Sequence, residues 1–219
     1  MKPKVLIFAS GSKEGGGSGF LHLILNMLSG LLPVEICGVV CNYENGGVRK
    51  IADQYGIWFS HLASFTAEDY FRVAAESGAE WFLLSGWLKH VKGLPANRTI
   101  NIHPGPTQGF GGKGYHGHHV HQAILDAGAK ETAVTMHFVT ENFDEGPTFF
   151  EYPLRVCAGD DADSLGSRVN RYEHGHQSWI TSLVISGQIA WDGNREHEVQ
   201  VPDWYRTLPF CPKRLQVAA

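Results

Sequence analysis

The apolar positions of this chain fall in short unbroken runs separated by polar, glycine-marked turns. KVLIFAS at 4–10, VEICGVVCN at 34–42, WFLLSGW at 81–87 and TINIHP at 99–104 have the continuous character of strands covered on both faces. Between them lie segments with helical spacing: FLHLILNML at 20–28 and GVRKIADQYG at 47–56, the latter stopped by Gly56. A short IWFSHL follows. The next helix opens near Thr66, where Thr66 and Asp69 stand at capping-box spacing. Beyond residue 104 the pattern predicts a helix in VHQAILDAG ended by Gly128. TAVTMHFV at 132–139 alternates like a half-buried strand, and TFFEYPLRV at 148–156 is positioned to pair with it. A long helix spans 163–186, and the remainder, with VPDWYRTLPFCP, is expected to lie across the surface.

This strand–helix alternation predicts an α/β fold on a doubly wound, mostly parallel sheet. No repeat or low-complexity linker interrupts it. Residues 1–190 therefore read as one catalytic domain, and 191–219 as a C-terminal extension packed on it. In such sheets ligands sit beyond the carboxyl ends of the strands, so the loops that follow strands carry the candidate chemistry.

Composition narrows the classes. An apolar fraction of 43% and a charged fraction of 18% suit a soluble globular domain. A net charge of −4 lacks the basic surface that nucleic-acid binding requires, so no nucleic-acid partner is expected. No run approaches the ~20 apolar residues of a membrane helix, so no membrane partner is expected either. The four cysteines form no CxxC pair and the first residues lack a signal-peptide pattern, which makes the cytoplasm the expected location. Oligomeric state is left open.

Three loops carry candidate chemistry. GSKEGGGSGF at 11–20 follows the first strand and opens a helix, where backbone N–H groups and the helix terminus could cradle a phosphate. In INIHPG, Asn101 and His103 are two apart and project from one face of an extended strand. They pair a carboxamide donor with an imidazole, as an oxyanion site requires. TENFDEGP at 140–147 brings Glu141, Asp144 and Glu145 to a turn, where a carboxylate near His103 would fix its tautomer. YHGHHVH at 115–121 packs His116, His118, His119 and His121 together. Four ligands in six residues cannot converge on one ion without an unusual loop, and no acid or cysteine lies nearby in sequence, so no metal is expected.

Taken together, INIHP, HVHQAILDAG, TMHFVTENFDEGP and RVNRYEHGHQ resemble the formyltransferase family that uses 10-formyltetrahydrofolate, nearest its phosphoribosylglycinamide branch. The resemblance implies a Rossmann-like formyltransferase fold, with the nucleotide phosphate in the N-terminal half and folate in the C-terminal half. It implies a purine-biosynthesis enzyme taking glycinamide ribonucleotide and 10-formyltetrahydrofolate as formyl donor. The catalytic residues it implies are Asn101, His103 and Asp144. Asn101 and a protonated His103 would steady the oxyanion while Asp144 orients the imidazole, and His137 would support them. It places phosphate and ribose on Gly15, Gly16, Gly17, Ser18, Gly19, Asn170 and Glu173, with Gly11–Ser12 the other candidate cradle. It places folate on Leu88, Lys89, His90, Val91, Val139, Thr140, Glu141 and Asp144.

Departures from the family pattern are Lys89 for a usual Arg, Asn170 for a usual Gln, and a longer glycine-rich segment after Pro104. His119 and His121 match a family HxH at a helix entry, which makes the histidine run a polar lip of the pocket. The alternatives are formyl transfer to another amine such as a nucleotide sugar, hydrolysis of the folate, and a non-catalytic folate- or nucleotide-binding relative. A hydrolase of this family would carry a further N-terminal domain, whereas the first strand here begins at residue 4.

Overall fold

The apolar runs become strands whose side chains are sealed from water, and the glycines between them become turns. The computed structural model describes residues 1–216, in two compact units that meet in sequence after Asn101. In the first unit β1 (Lys4–Phe8), β2 (Glu35–Cys41), β3 (Phe59–His61) and β4 (Trp81–Ser85) run parallel in the order β3-β2-β1-β4. Helices α1 (Ser18–Ser29), α2 (Gly47–Tyr55) and α3 (Ala67–Ser77) connect them and all pack on β2. Val5 to Phe8 are fully buried, which is why this strand carries no polar alternation.

Local sequence explains the elements. At the start of α3 the Thr66 hydroxyl accepts from the Asp69 N–H at 3.2 Å, and the Asp69 carboxylate accepts from the Thr66 N–H at 3.1 Å, completing the expected capping box. Gly56 and Gly78 take left-handed conformations just past α2 and α3 and stop both helices. Gly38 in β2 makes room for the Trp58 ring, since a Cβ there would stand 2.4 Å from it.

β5 (Thr99–His103) carries the chain into the second unit, which continues through a short turn α4 (Thr107–Phe110), α5 (His118–Asp126), β6 (Glu131–Phe138), β7 (Thr148–Arg155), α6 (Ala162–Ile185) and α7 (Asp203–Arg206). Its strand order is β5-β6-β7, with β6 and β7 antiparallel. The expected half-burial of β6 is corrected here: every residue after Glu131 is buried. Two of its buried polar side chains find internal partners: Thr135 Oγ1 donates to the Gly105 carbonyl at 2.8 Å and His137 Nδ1 lies 2.8 Å from the Phe138 carbonyl.

The segment after α6 lies on β7, the last strand in the order. Glu151 N–H donates to the Phe210 carbonyl at 2.8 Å, Arg214 to the Thr148 carbonyl at 3.0 Å, and the buried Tyr205 hydroxyl to the Phe149 carbonyl at 2.9 Å. These contacts occupy backbone groups that an edge strand otherwise leaves open. Residues 217–219 of the expected extension lie outside the described residues. Among the described residues no helix is long and apolar enough to cross a membrane. Removing the Tyr205 hydroxyl by Tyr205→Phe should cost about 1 kcal/mol. Chemical denaturation should show a lower midpoint at unchanged slope; an unchanged midpoint would mean the hydroxyl contributes nothing to holding the segment.

Candidate active site

β5 places Asn101 and His103 two residues apart, on one side of the strand. His103 is buried, and the Phe110 carbonyl lies 2.8 Å from its Nε2. A carbonyl only accepts, so Nε2 carries the hydrogen and the other ring nitrogen, Nδ1, faces the Asp144 Oδ2 at 3.7 Å.

Asp144 comes from the turn between β6 and β7. Gly146 lets this turn fold back on the end of β6, because a Cβ there would stand 1.7 Å from the Phe138 carbonyl oxygen. Asp144 itself has a φ of 54°, a left-handed conformation that a short polar side chain tolerates better than most. Its Oδ1 lies 3.3 Å from His137 Nε2, and its Oδ2 accepts from the Gly112 N–H at 2.8 Å. Burial alone would raise this carboxyl. The His137 hydrogen bond, the two nearby imidazoles and the Gly112 N–H overcome it and hold the group at about 2. His137, on β6, turns its Nδ1 to the Phe138 carbonyl at 2.8 Å, so both of its ring nitrogens face oxygens. The result is one carboxylate held by His137 and a backbone amide, with the Nδ1 face of His103 3.7 Å away.

Burial pushes His103 below its ordinary value; Asp144 and the Phe110 carbonyl oppose the shift and His137 reinforces it. The direction of this shift favours the neutral ring, where the resemblance implied a protonated imidazole. Taking a charge out of water costs more here than one carboxylate at 3.7 Å returns.

In the first unit the glycine loop is closed on itself: Ser12 N–H donates to the Gly15 carbonyl at 2.8 Å, and Gly15 N–H to Ser12 Oγ at 2.9 Å. It lies against the start of α2, where a Cβ on Gly47 would meet Gly15 at 2.5 Å and one on Gly46 would meet the Ser12 carbonyl at 2.3 Å. Helix α1 opens at Ser18 behind Gly17 with no side-chain cap. Gly15, Gly16, Gly17, Ser18 and Gly19 thus sit at a helix entry whose first N–H groups no side chain caps.

Leu88 to Val91 follow β4 in the same unit. Leu88 N–H donates to Ser10 Oγ at 3.0 Å, Lys89 stands over the Phe65 ring at 5.2 Å, His90 is half-buried and Val91 is buried. In the second unit Val139 and Thr140 lead from β6 toward Asp144 and Glu141 is exposed. Asn170 and Glu173 stand on α6, the amide 3.4 Å from the carboxylate, and burial pushes Glu173 up to about 7 against that contact.

The histidine run divides. His118 pairs with Asp163 at 3.1 Å and His119 is exposed, whereas His121 turns inward from α5 and is buried. His121 packs on Gly166, where a Cβ would come within 2.8 Å of its ring, and its buried Nδ1 has no hydrogen-bond partner. Desolvation, with His118 and His103 adding, lowers it to about 4. This residue is not part of a polar lip. Among the described residues no group of three or more His, Cys, Asp or Glu side chains could hold a metal ion. Sequence reasoning missed the Phe110 carbonyl and the Gly112 N–H, which are main-chain groups; the glycines around them were the only available signal.

The model of the formyl transferase family matches residues 3–181. A chloroplastic phosphoribosylglycinamide formyltransferase of Arabidopsis thaliana is 30% identical over 203 residues, covering 87% of this chain and 68% of that protein. Its counterpart in Vigna unguiculata is 30% identical over 201 residues, covering 87% and 63%. This chain thus spans about two thirds of the length of both plant relatives. Among solved structures, glycinamide ribonucleotide transformylase 1 of Symbiobacterium toebii superposes with a TM-score of 0.79 at 22% identity, over 91% of this chain and 94% of that one. At that identity the likeness is one of fold.

His121 gives a pH test of the packing beside the site. Its folded value, about 4, lies below the unfolded 6.5, so its contribution to stability is present above pH 6.5 and lost as pH falls through 4. The loss should approach about 3 kcal/mol. His103 acts with the same sign, so the comparison is with His121→Gln, whose stability should fall less steeply across this window. Parallel pH curves would show that His121 is not held neutral.

Proposed function

This chain belongs to the formyl transferase family, and from that membership we propose that it moves the formyl group of 10-formyltetrahydrofolate to the amine of glycinamide ribonucleotide, a step of purine biosynthesis. The observation that carries the reading is Asp144, ionised and shared between His103 and His137 at the end of the strand that holds Asn101.

The chemistry follows from the tautomer. With Nε2–H committed to the Phe110 carbonyl, His103 presents its Nδ1 lone pair as a base. As the amine nitrogen attacks the formyl carbon and the carbonyl electrons move to oxygen, Nδ1 takes the amine proton. Asp144 steadies the imidazolium that forms. The Asn101 carboxamide donates to the oxyanion, a contact worth ~3 kcal/mol of barrier in comparable sites. Collapse reforms the carbonyl, breaks the bond to the folate nitrogen and returns the proton from His103 to that nitrogen. His137 holds Asp144 in register.

The glycine loop, Gly15 to Gly19, takes the nucleotide phosphate on uncapped N–H groups at the start of α1. Asn170 and Glu173 take the ribose. Leu88 to Val91 and Val139 to Asp144 take the folate, Lys89 supplying charge without the planar fork of an arginine. Residues 1–190 form the catalytic domain and the remainder supports it, with the cytoplasm as the setting.

Turnover of 10-formyltetrahydrofolate should depend on glycinamide ribonucleotide. Consumption at the same rate without any amine would identify a hydrolase, and no consumption with any acceptor would remove the enzymatic reading. Asp144→Asn should fold normally and lose at least about a hundredfold in kcat. Wild-type turnover in that variant would take Asp144 out of the mechanism.

A further inference from the structure

We infer that the turn at residues 107–112 is a positioning clamp for the site, and that Gly111 is the residue on which the clamp depends. The inference rests on the roles proposed for His103 and Asp144. Two main-chain groups, two residues apart, reach the two side chains with opposite polarity. The Phe110 carbonyl accepts from His103 Nε2–H at 2.8 Å, and the Gly112 N–H donates to Asp144 Oδ2 at 2.8 Å. One contact sets which ring nitrogen keeps its lone pair, and the other adds a donor to the carboxylate that must remain charged.

The segment is tied down at three points before it runs out to solvent. Its start is held by Thr135 Oγ1 on the Gly105 carbonyl at 2.8 Å, and Gly105 itself is buried. A Cβ on Gly105 would come within 2.9 Å of Val120 and 3.5 Å of His103 Nε2. The second and third ties are the contacts of Phe110 and Gly112. Beyond them Gly114 and Gly117 have positive φ and open space around them. The glycine content thus serves two purposes: close approach at 105 and 111, and freedom of path from 114 on.

Gly111 stands between the two contacts. A Cβ there would lie 2.6 Å from the Thr107 carbonyl oxygen and 3.0 Å from Asp144 Cβ, distances that force the turn to move. Its φ of −106° is open to any residue, so alanine at this position acts through collision rather than backbone strain. Gly114 offers the opposite case, a φ of 99° with nothing within 4 Å. Gly114→Ala therefore strains the same loop without touching the clamp.

The test has one arm that needs no substrate. In the wild-type protein, ¹⁵N spectra of His103 should show a single Nε2–H tautomer, and the Gly112 amide should exchange slowly where the Gly114 amide exchanges fast. Gly111→Ala should mix the tautomers and lose the Gly112 protection. In turnover, Gly111→Ala should lower kcat roughly 10- to 100-fold with KM for either substrate within about threefold. The acid limb of its kcat profile should move to lower pH, since the carbonyl that favours a charged ring has withdrawn. Gly114→Ala should stay within about twofold of wild type. The clamp is overturned if wild-type Gly112 exchanges as freely as Gly114, or if Gly111→Ala keeps wild-type kcat and pH profile. An equal loss in both alanine variants also overturns it, by making loop freedom the cause. Clean tautomer and exchange results with no turnover on glycinamide ribonucleotide would instead leave the clamp intact and count against the proposed substrate.

Discussion

A carboxylate taken out of water must be surrounded by donors or it will take up a proton, and Asp144 is placed to satisfy that condition. His137 Nε2 faces one of its oxygens, the His103 ring stands 3.7 Å from the other with the Nδ1 lone pair that will receive a proton, and the Gly112 N–H donates to that same oxygen. Each comes from a different part of the second unit: β6, the end of β5, and the turn after α4. Bringing them together requires a left-handed residue at Asp144 and a glycine at 146 whose missing side chain lets the turn close on β6. The strands thus act as fixed mounts for the imidazoles, while the turns supply the carboxylate and the amide.

The same constraint sets the state of the partner imidazole. Burial of His103 disfavours its charged form more than one carboxylate at 3.7 Å favours it, and Asp144 is positioned to receive the ring once it gains a proton. A neutral base beside a standing negative charge suits a reaction in which a proton must be taken up and later given back. The glycine loop of the first unit shows a parallel economy of material. Gly46 and Gly47 admit Ser12 and Gly15 at distances no side chain would permit, leaving the uncapped start of α1 beside the loop.

Much of this was legible in the residues. Unbroken apolar runs marked the parallel strands, Thr66 with Asp69 marked a helix start, and the spacing of Asn101 and His103 put both on one face. What failed did so for physical reasons. β6 carries Thr132, Thr135 and His137 at positions that mimic a solvent-facing alternation, but these side chains are buried, and Thr135 and His137 bond to backbone carbonyls. His121 follows the exposed imidazoles of His118 and His119, and nothing local distinguishes it until Gly166 on α6 provides the surface it packs against. The contacts of Phe110 and Gly112 leave no side-chain signature, because any residue can offer a carbonyl and nearly any an N–H.

The central claim is that Asp144 stays ionised because the imidazoles and the amide hold it so. A ¹³C titration of its carboxyl carbon in the substrate-free protein measures this directly. The signal should remain that of a carboxylate down to about pH 2. A midpoint near the ordinary aspartate value of ~4, or above it, would contradict the account.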